Sequence, residues 1–126
     1  YSSGASVVSD FIDLANTRIE FKNGCVANIT ASRISNKQMR KMRVFEKKAY
    51  NVLDFQNQSL SRWKIENKQN IEETNTQIMP VNALYEELNS FILCIKNNAS
   101  VLVTPEQAKN ALKIAVEIQK SIEKKI

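Results

Sequence analysis

The sequence predicts an α+β domain: an antiparallel or mixed sheet, followed by two helices packed on one of its faces, with the other face open. Three observations predict it. Apolar and polar residues alternate in most of the chain from Ala15 to Glu66, which is the period of a strand. After Asn82 the apolar residues recur at helical spacing instead. Between two alternating runs stands Asn23-Gly24, a strong hairpin signal.

Taken in order, Ala5 to Val8 is a short apolar run and a predicted first strand. In the hairpin, Ala15, Thr17, Ile19 and Phe21 alternate with Asn16, Arg18, Glu20 and Lys22, and Cys25, Ala27, Ile29 and Ala31 alternate with Val26, Asn28, Thr30 and Ser32. A loop of Asn23 and Gly24 alone would pair Phe21 with Val26 and mix the two faces. A longer loop, Lys22-Asn23-Gly24 with Gly24 left-handed, pairs Phe21 with Cys25, Ile19 with Ala27 and Thr17 with Ile29. Only this register keeps one apolar face, because a one-residue slip swaps every side chain across the sheet.

Ile34 to Gln38 reads as a polar connection, and Met39–Glu46, Ala49–Phe55 and Leu60–Glu66 as further strands, with Lys47-Lys48 a tight turn. Short links favour an antiparallel meander. Residues 67–76 are polar except for Ile71 and read as an exposed loop. Asn82 is a predicted N-cap for a helix whose stripe is Leu84, Leu88, Phe91, Ile92 and Ile95, with Asn97 or Asn98 as its left-handed cap. Thr104-Pro105-Glu106-Gln107 predicts a capping box with proline in the first turn. Ala108, Ala111, Leu112, Ala115, Ile118 and Ile122 form the stripe of that second helix.

Composition narrows the chemistry. The chain has 126 residues, no histidine and only two glycines, Gly4 and Gly24. It therefore lacks Ser-His and Cys-His nucleophile systems and histidine metal ligands, and it cannot build a P-loop or a G-x-G-x-x-G turn. No catalytic, cofactor-binding or metal-binding residue is assigned. No apolar run approaches the ~20 residues that span a bilayer, and the start Tyr1-Ser2-Ser3-Gly4 does not read as a signal peptide. Cys25 and Cys94 sit at predicted core positions, as buried thiols of a reducing, cytoplasmic compartment would; a disulfide or metal site is the alternative.

The net charge of +5 is uneven, with Arg33, Lys37, Arg40, Lys41, Arg43, Lys47 and Lys48 close together. Such a stretch suits a solvated edge strand or a free-standing basic module binding nucleic acid through residues 33–48. The exposed aromatics that stack single strands are few there, with Phe45 and Tyr50 the nearest. Arg33, Arg40 and Arg43 are candidates for holding a carboxylate or phosphate. Arg33 falls on the apolar side of its strand, so it needs a partner: an acidic side chain, a ligand or a neighbouring subunit. The face bearing Leu14, Asn16, Arg18, Val26, Asn28 and Thr30 carries small uncharged residues and suits a subunit contact as well as a wet surface.

Three stretches carry a family resemblance: R-I-E-F-K-N-G-C-V-A-N-I-T-A-S-R-I-S (Arg18 to Ser35), L-Y-E-E-L-N-S-F-I (Leu84 to Ile92) and V-T-P-E-Q-A-K-N-A-L-K-I-A-V-E-I-Q-K-S-I (Val103 to Ile122). Together they resemble the C-terminal domain of Gfo/Idh/MocA oxidoreductases, the glucose–fructose oxidoreductase and inositol dehydrogenase relatives. The resemblance implies that residues 1–126 are one substrate-side and oligomerisation domain, separate from a Rossmann domain that binds NAD or NADP. It implies hydride transfer to or from a sugar, nucleotide-sugar or polyol in the full-length enzyme, and a homo-oligomer formed through the open sheet face. The family's Glu-Lys-Pro motif is not matched by Glu46-Lys47-Lys48 or Glu123-Lys124-Lys125, and its histidine is absent. The expectation is a chain that neither binds the nicotinamide nor turns over by itself.

Overall fold

The computed structural model describes every residue except Lys68, Gln69 and Ile126. Seven antiparallel strands are followed by two helices, as the α+β expectation requires. The strands pair as two sheets, however, of three and four strands. Arg33 to Arg40 has no regular structure and interrupts the ladder. The chain divides into two compact units: residues 1–36 with 94–126, and residues 37–93.

In the first unit, β1 (Ser2–Ala5), β2 (Leu14–Glu20) and β3 (Val26–Ser32) lie in chain order. The hairpin has the predicted register, with Ile19 opposite Ala27 and Thr17 opposite Ile29. Phe21 N–H donates to the Cys25 carbonyl at 2.8 Å, and Gly24 N–H donates back to Phe21 O at 2.9 Å. Gly24 has φ +84°, a left-handed conformation that favours glycine.

The first strand lies earlier than predicted. Val7 and Val8 do not pair in a sheet, because their N–H groups, with that of Ser9, donate to the Asp13 carboxylate. A side chain with two acceptor oxygens has displaced the ladder there.

Helix α2 (Pro105–Glu123) opens with the predicted capping box: Gln107 N–H donates to Thr104 Oγ1 at 3.3 Å, and Thr104 N–H to Gln107 Oε1 at 2.9 Å. It rests on β1 through Ile122, which is 1% exposed. A Cβ on Gly4 would stand 2.8 Å from Ile122 Cγ2 and 2.8 Å from the Leu14 carbonyl, so glycine permits this approach. Beneath the helix the buried Thr17 hydroxyl donates to Ser2 Oγ at 3.2 Å. The rest of the predicted stripe is less covered. Ala108, Ala111, Leu112 and Ala115 are exposed, and Ile118 is half-buried.

In the second unit, β4 (Lys41–Phe45), β5 (Ala49–Asp54), β6 (Ser59–Asn67) and β7 (Asn70–Gln77) form a meander. Lys47-Lys48 makes the predicted tight turn, closed by Glu46 N–H donating to Ala49 O at 2.8 Å. The expected loop over 67–76 falls partly on Lys68 and Gln69, outside the described residues; from Asn70 onward it is the strand β7. Every side chain of β7 is exposed. With no buried face the strand shows no apolar alternation, and backbone pairing with β6 alone defines it.

Gln58 (φ +50°) ties the segment after β7, donating from Nε2 to Val81 O at 2.9 Å and accepting from Val81 N–H at 2.8 Å. Helix α1 (Ala83–Asn97) follows, and Tyr85 N–H donates to Asn82 Oδ1 at 3.1 Å, as an N-cap requires. Asn98 (φ +49°) supplies the left-handed C-terminal residue, and Ala99 N–H donates to Cys94 O at 3.0 Å. The stripe on α1 was expected to be buried, but none of its residues is: Leu84 is 65% exposed and Phe91 55%.

Candidate functional site

The most constrained polar cluster in the first unit is built around Asp13, whose side chain is fully buried. Oδ2 accepts N–H groups from Val7, Val8 and Ser9 at 2.9, 2.9 and 3.0 Å. Oδ1 accepts the Ser9 hydroxyl at 2.9 Å and Arg33 Nη2 at 2.7 Å. The Asp13 backbone is also engaged, with its N–H donating to Ala5 O and its carbonyl accepting Arg33 N–H, both at 2.9 Å. Arg33 has an acidic partner, but contrary to the expectation that it lies on the apolar side of the strand, it follows the end of β3 and its side chain is 63% exposed; the buried member of the pair is Asp13. Arg33, then the Val8 and Val7 N–H groups, hold the Asp13 carboxyl well below the usual carboxylate range against the opposing effect of burial.

The clamp shapes the loop from Ser6 to Ile12, and a groove of about 520 Å³ opens between this loop and α2. Its apolar lining includes Phe11, Ile12, Ala15, Ala115, Ile118 and Ile122, with Ser6, Asp10, Gln119 and Glu123 as the polar members. Gln119 Nε2 donates to Glu123 Oε1 at 2.8 Å. The groove presents carboxylates and an apolar floor but no histidine, lysine or cysteine. It offers acceptors for hydroxyl groups rather than a nucleophile.

The other candidate arginines lie in the second unit. Arg40 sits over the Phe55 ring at 6.0 Å, and its carbonyl accepts Phe55 N–H at 2.8 Å. Arg43 is exposed on β4 opposite Val52 and makes no ion pair among the described residues. The structure thus separates Arg33 from Arg40 and Arg43, which belong to different units. A second buried carboxylate, Asp54, works as Asp13 does. It takes Lys41 Nζ at 2.9 Å, Asn57 Nδ2 at 2.9 Å and the N–H groups of Gln56 and Asn57 at 3.1 and 3.0 Å. Lys41, then Asn57 N–H, lower its pKa to about 2.

Of the candidate interface residues, Leu14, Asn16 and Arg18 lie on β2 opposite Ser32, Thr30 and Asn28, on the face away from Ile122. Thr30 Oγ1 donates to Asn16 Oδ1 at 2.7 Å, and Arg18 Nε meets Glu20 Oε1 at 3.2 Å. Val26 is 41% exposed and Leu14 half-buried. Both cysteines are free thiols; contrary to the core expectation, Cys25 is exposed and Cys94 half-buried. Among the described residues, no group of three or more Cys, Asp or Glu is placed to hold a metal ion, and no helix is long and apolar enough to cross a membrane.

The sequence did not single out Asp13 or Asp54. A carboxylate that binds its own loop leaves little signature, since an aspartate beside a strand end is common in any turn.

Comparison with known proteins agrees with the fold. The UDP-N-acetylglucosamine 3-dehydrogenase of Acidithiobacillus ferrooxidans is 25% identical over 125 residues, which is 95% of this chain. Its solved structure, GnnA, matches with a TM-score of 0.87 over 97% of this chain, in each of two crystal forms. The chain is homologous to part of that dehydrogenase. It spans 40% of the length of this relative. This accords with the resemblance to the Gfo/Idh/MocA C-terminal domain. No protein-family model matches the sequence.

Proposed function

We propose that this chain is the substrate-side and oligomerisation domain of an NAD(P)-dependent oxidoreductase acting on a nucleotide-sugar or related sugar. The observation that carries this reading is the match in sequence and fold, over nearly the whole chain, to less than half of a UDP-N-acetylglucosamine 3-dehydrogenase. The remaining parts of such an enzyme would supply the Rossmann domain, the cofactor and the catalytic groups.

The glycines support placing the dinucleotide site in another domain. Among the described residues Gly24 belongs to a hairpin turn, Gly4 lies under Ile122, and every strand pair is antiparallel, which is unlike the strand–glycine turn–helix unit that cradles a pyrophosphate. The uncovered stripe on α1 supports the reading, since an apolar face of Leu84, Leu88, Phe91 and Ile92 suits contact with a further domain. The groove beside Phe11 suits a polyhydroxyl ligand, with Asp10 and Glu123 as acceptors. The Leu14, Asn16, Arg18, Val26, Asn28 and Thr30 face is the proposed subunit contact.

The test is titration of the full chain with NADH, followed by nicotinamide fluorescence, together with an assay of UDP-N-acetylglucosamine oxidation. Neither saturable NADH binding nor turnover is expected; saturable binding would overturn the assignment of the cofactor site to another domain. Asn28→Glu and Thr30→Lys are expected to weaken self-association through the first sheet in sedimentation experiments, and unchanged association would remove that interface.

A further inference from the structure

The hairpin turn carries a reactive dipeptide that nothing above uses. Asn23-Gly24 is the one Asn-Gly pair in the sequence, since the other glycine, Gly4, follows Ser3. Asparagine is among the thermolabile side chains, and its amide carbon lies within reach of the backbone nitrogen of the residue that follows. Where that residue is glycine, no Cβ stands in the way. Asn23 and Gly24 are both exposed, and a Cβ built on Gly24 would meet nothing within 4 Å, so water and base reach the pair directly. Every other asparagine precedes a residue with a side chain. Several of these, among them Asn16, Asn28, Asn51, Asn89 and Asn110, are also held in regular strands or helices.

The turn both prepares the pair and restrains it. Cys25 N–H donates to Asn23 Oδ1 at 3.0 Å, which orients the carboxamide and draws charge from its carbon. Gly24 N–H donates to Phe21 O at 2.9 Å, the closing bond of the turn. Attack by the Gly24 nitrogen needs that nitrogen free of its proton, so the bond to Phe21 O has to open first. Phe21 N–H, donating to Cys25 O at 2.8 Å, closes the ladder below the loop and need not move. The tip can therefore react while β2 and β3 stay paired.

We propose that Asn23 is a site of spontaneous covalent modification, converted through a cyclic imide to aspartate and isoaspartate, with the hydrogen bonds of the turn setting its rate. Base removes the Gly24 amide proton, and the nitrogen attacks Asn23 Cγ. A nitrogen–carbon bond forms, the Cγ–Nδ2 bond breaks, and Nδ2 leaves as ammonia after taking a proton from water. Water then opens the imide at one of its two carbonyl carbons. Opening at Cγ restores the original main chain and leaves aspartate. Opening at the backbone carbonyl carbon leaves isoaspartate, with the main chain routed through Cγ. Water is the only co-reactant, and nothing is oxidised or reduced. Either product carries one more negative charge than the parent chain. Aspartate keeps an acceptor for Cys25 N–H, now charge-assisted. Isoaspartate lengthens the loop by one main-chain atom, so the closure between Phe21 and Gly24 is lost. This chemistry stands independently of the oxidoreductase reading.

The experiment is incubation of the full chain at mildly alkaline pH, folded and in urea, followed by ion exchange and peptide mapping by mass spectrometry. Isoaspartate is read by methyl transfer from labelled S-adenosylmethionine with an isoaspartyl methyltransferase. In the folded chain, conversion at Asn23 is expected ahead of every other asparagine, with both products in the same peptide and a rate that rises with pH. Asn23→Ser, at an exposed turn position, is expected to abolish the early acidic species. The unfolded chain is expected to convert Asn23 about tenfold or more faster, since two hydrogen bonds of the turn, each contributing about fivefold, are absent there. A folded chain that leaves Asn23 intact, or converts another asparagine first, would overturn the proposal, as would an early acidic species that persists in Asn23→Ser. Aspartate without isoaspartate would overturn the imide route, and equal rates in the folded and unfolded chains would overturn the control by the turn.

Discussion

The two units solve the same problem with different means. Each is an antiparallel meander whose turn is tied by a buried aspartate and a basic partner: Asp13 with Arg33 in the first, Asp54 with Lys41 in the second. The first unit then closes one side of its sheet with a helix, driving Ile122 against Gly4. The second has no buried helix residue and gains side-chain packing across its strands, where Phe45, Tyr50 and Trp63 stack in a row. Helix burial gives one unit a local core. The cross-strand ladder organises the other sheet, with Tyr50 and Trp63 half-buried and Phe45 exposed. The difference shows where apolar surface is left exposed: in the first unit most of the α2 stripe, and in the second Phe45, Ile65 and Ile71 on the sheet and the stripe on α1.

The strongest way to break this contrast is Ile122→Ala. Removing a fully buried isoleucine from a helix–strand contact is expected to cost about 2–4 kcal/mol. Hydrogen exchange should show the loss in β1, β2 and α2, with protection in β4 to β7 unchanged. Equal loss in both units would mean that they unfold as one.

A smaller effect is expected from Thr104→Ala, which removes the side-chain half of the capping box. The expected cost is about 1 kcal/mol, with faster exchange confined to the first turn of α2. No change there would mean that Pro105 and the Gln107 side chain hold the helix start without it.

The gentlest probe is pH. Both aspartates have carboxyls lowered in the folded chain, so their contribution to stability is complete above the ordinary carboxylate range, near about pH 4. It is lost as the pH falls toward the folded values: by about 2 for Asp54, and lower still for Asp13. Two-dimensional NMR during acidification should therefore show the Gln56–Asn57 turn loosening before the Val7–Ser9 loop. The reverse order would mean that Lys41 holds its carboxylate more firmly than Arg33 and three backbone donors hold theirs. Between about pH 8 and 5 neither turn should respond.

Much of the local structure was legible because its causes are local. Asn23-Gly24 and the alternation around it determine the hairpin register, since any other pairing would turn Ile19 and Ile29 to the wrong face. Asn82, Asn98 and Thr104 mark helix ends by satisfying backbone groups within four residues of themselves. β7 was hidden because both its faces are polar, so pairing with β6 leaves no alternation to read. β1 was misplaced because Asp13, several residues downstream, takes the N–H groups that Val7 and Val8 would have given to a sheet. The site was less legible than the fold. The pattern placed Arg33 on an apolar face and so asked for a partner; in the fold it is exposed beyond β3, and it is the buried Asp13 that requires the pairing.

By itself the sequence determined the order and type of most elements, the turn at Gly24, the helix caps, and the absence of histidine and glycine-rich chemistry. Backbone conformation and capping depend on near neighbours, and an inventory of side chains needs no coordinates. Only the tertiary structure decided that the strands form two sheets, that Asp13 and Asp54 bind their own loops, and that α1 leaves its apolar stripe uncovered. It alone also aligned Tyr50 with Trp63 and placed Arg43 and Glu73 at opposite edges of one face. Those outcomes depend on which distant segments pair, and the energy of such contacts exists only once the chain has closed them.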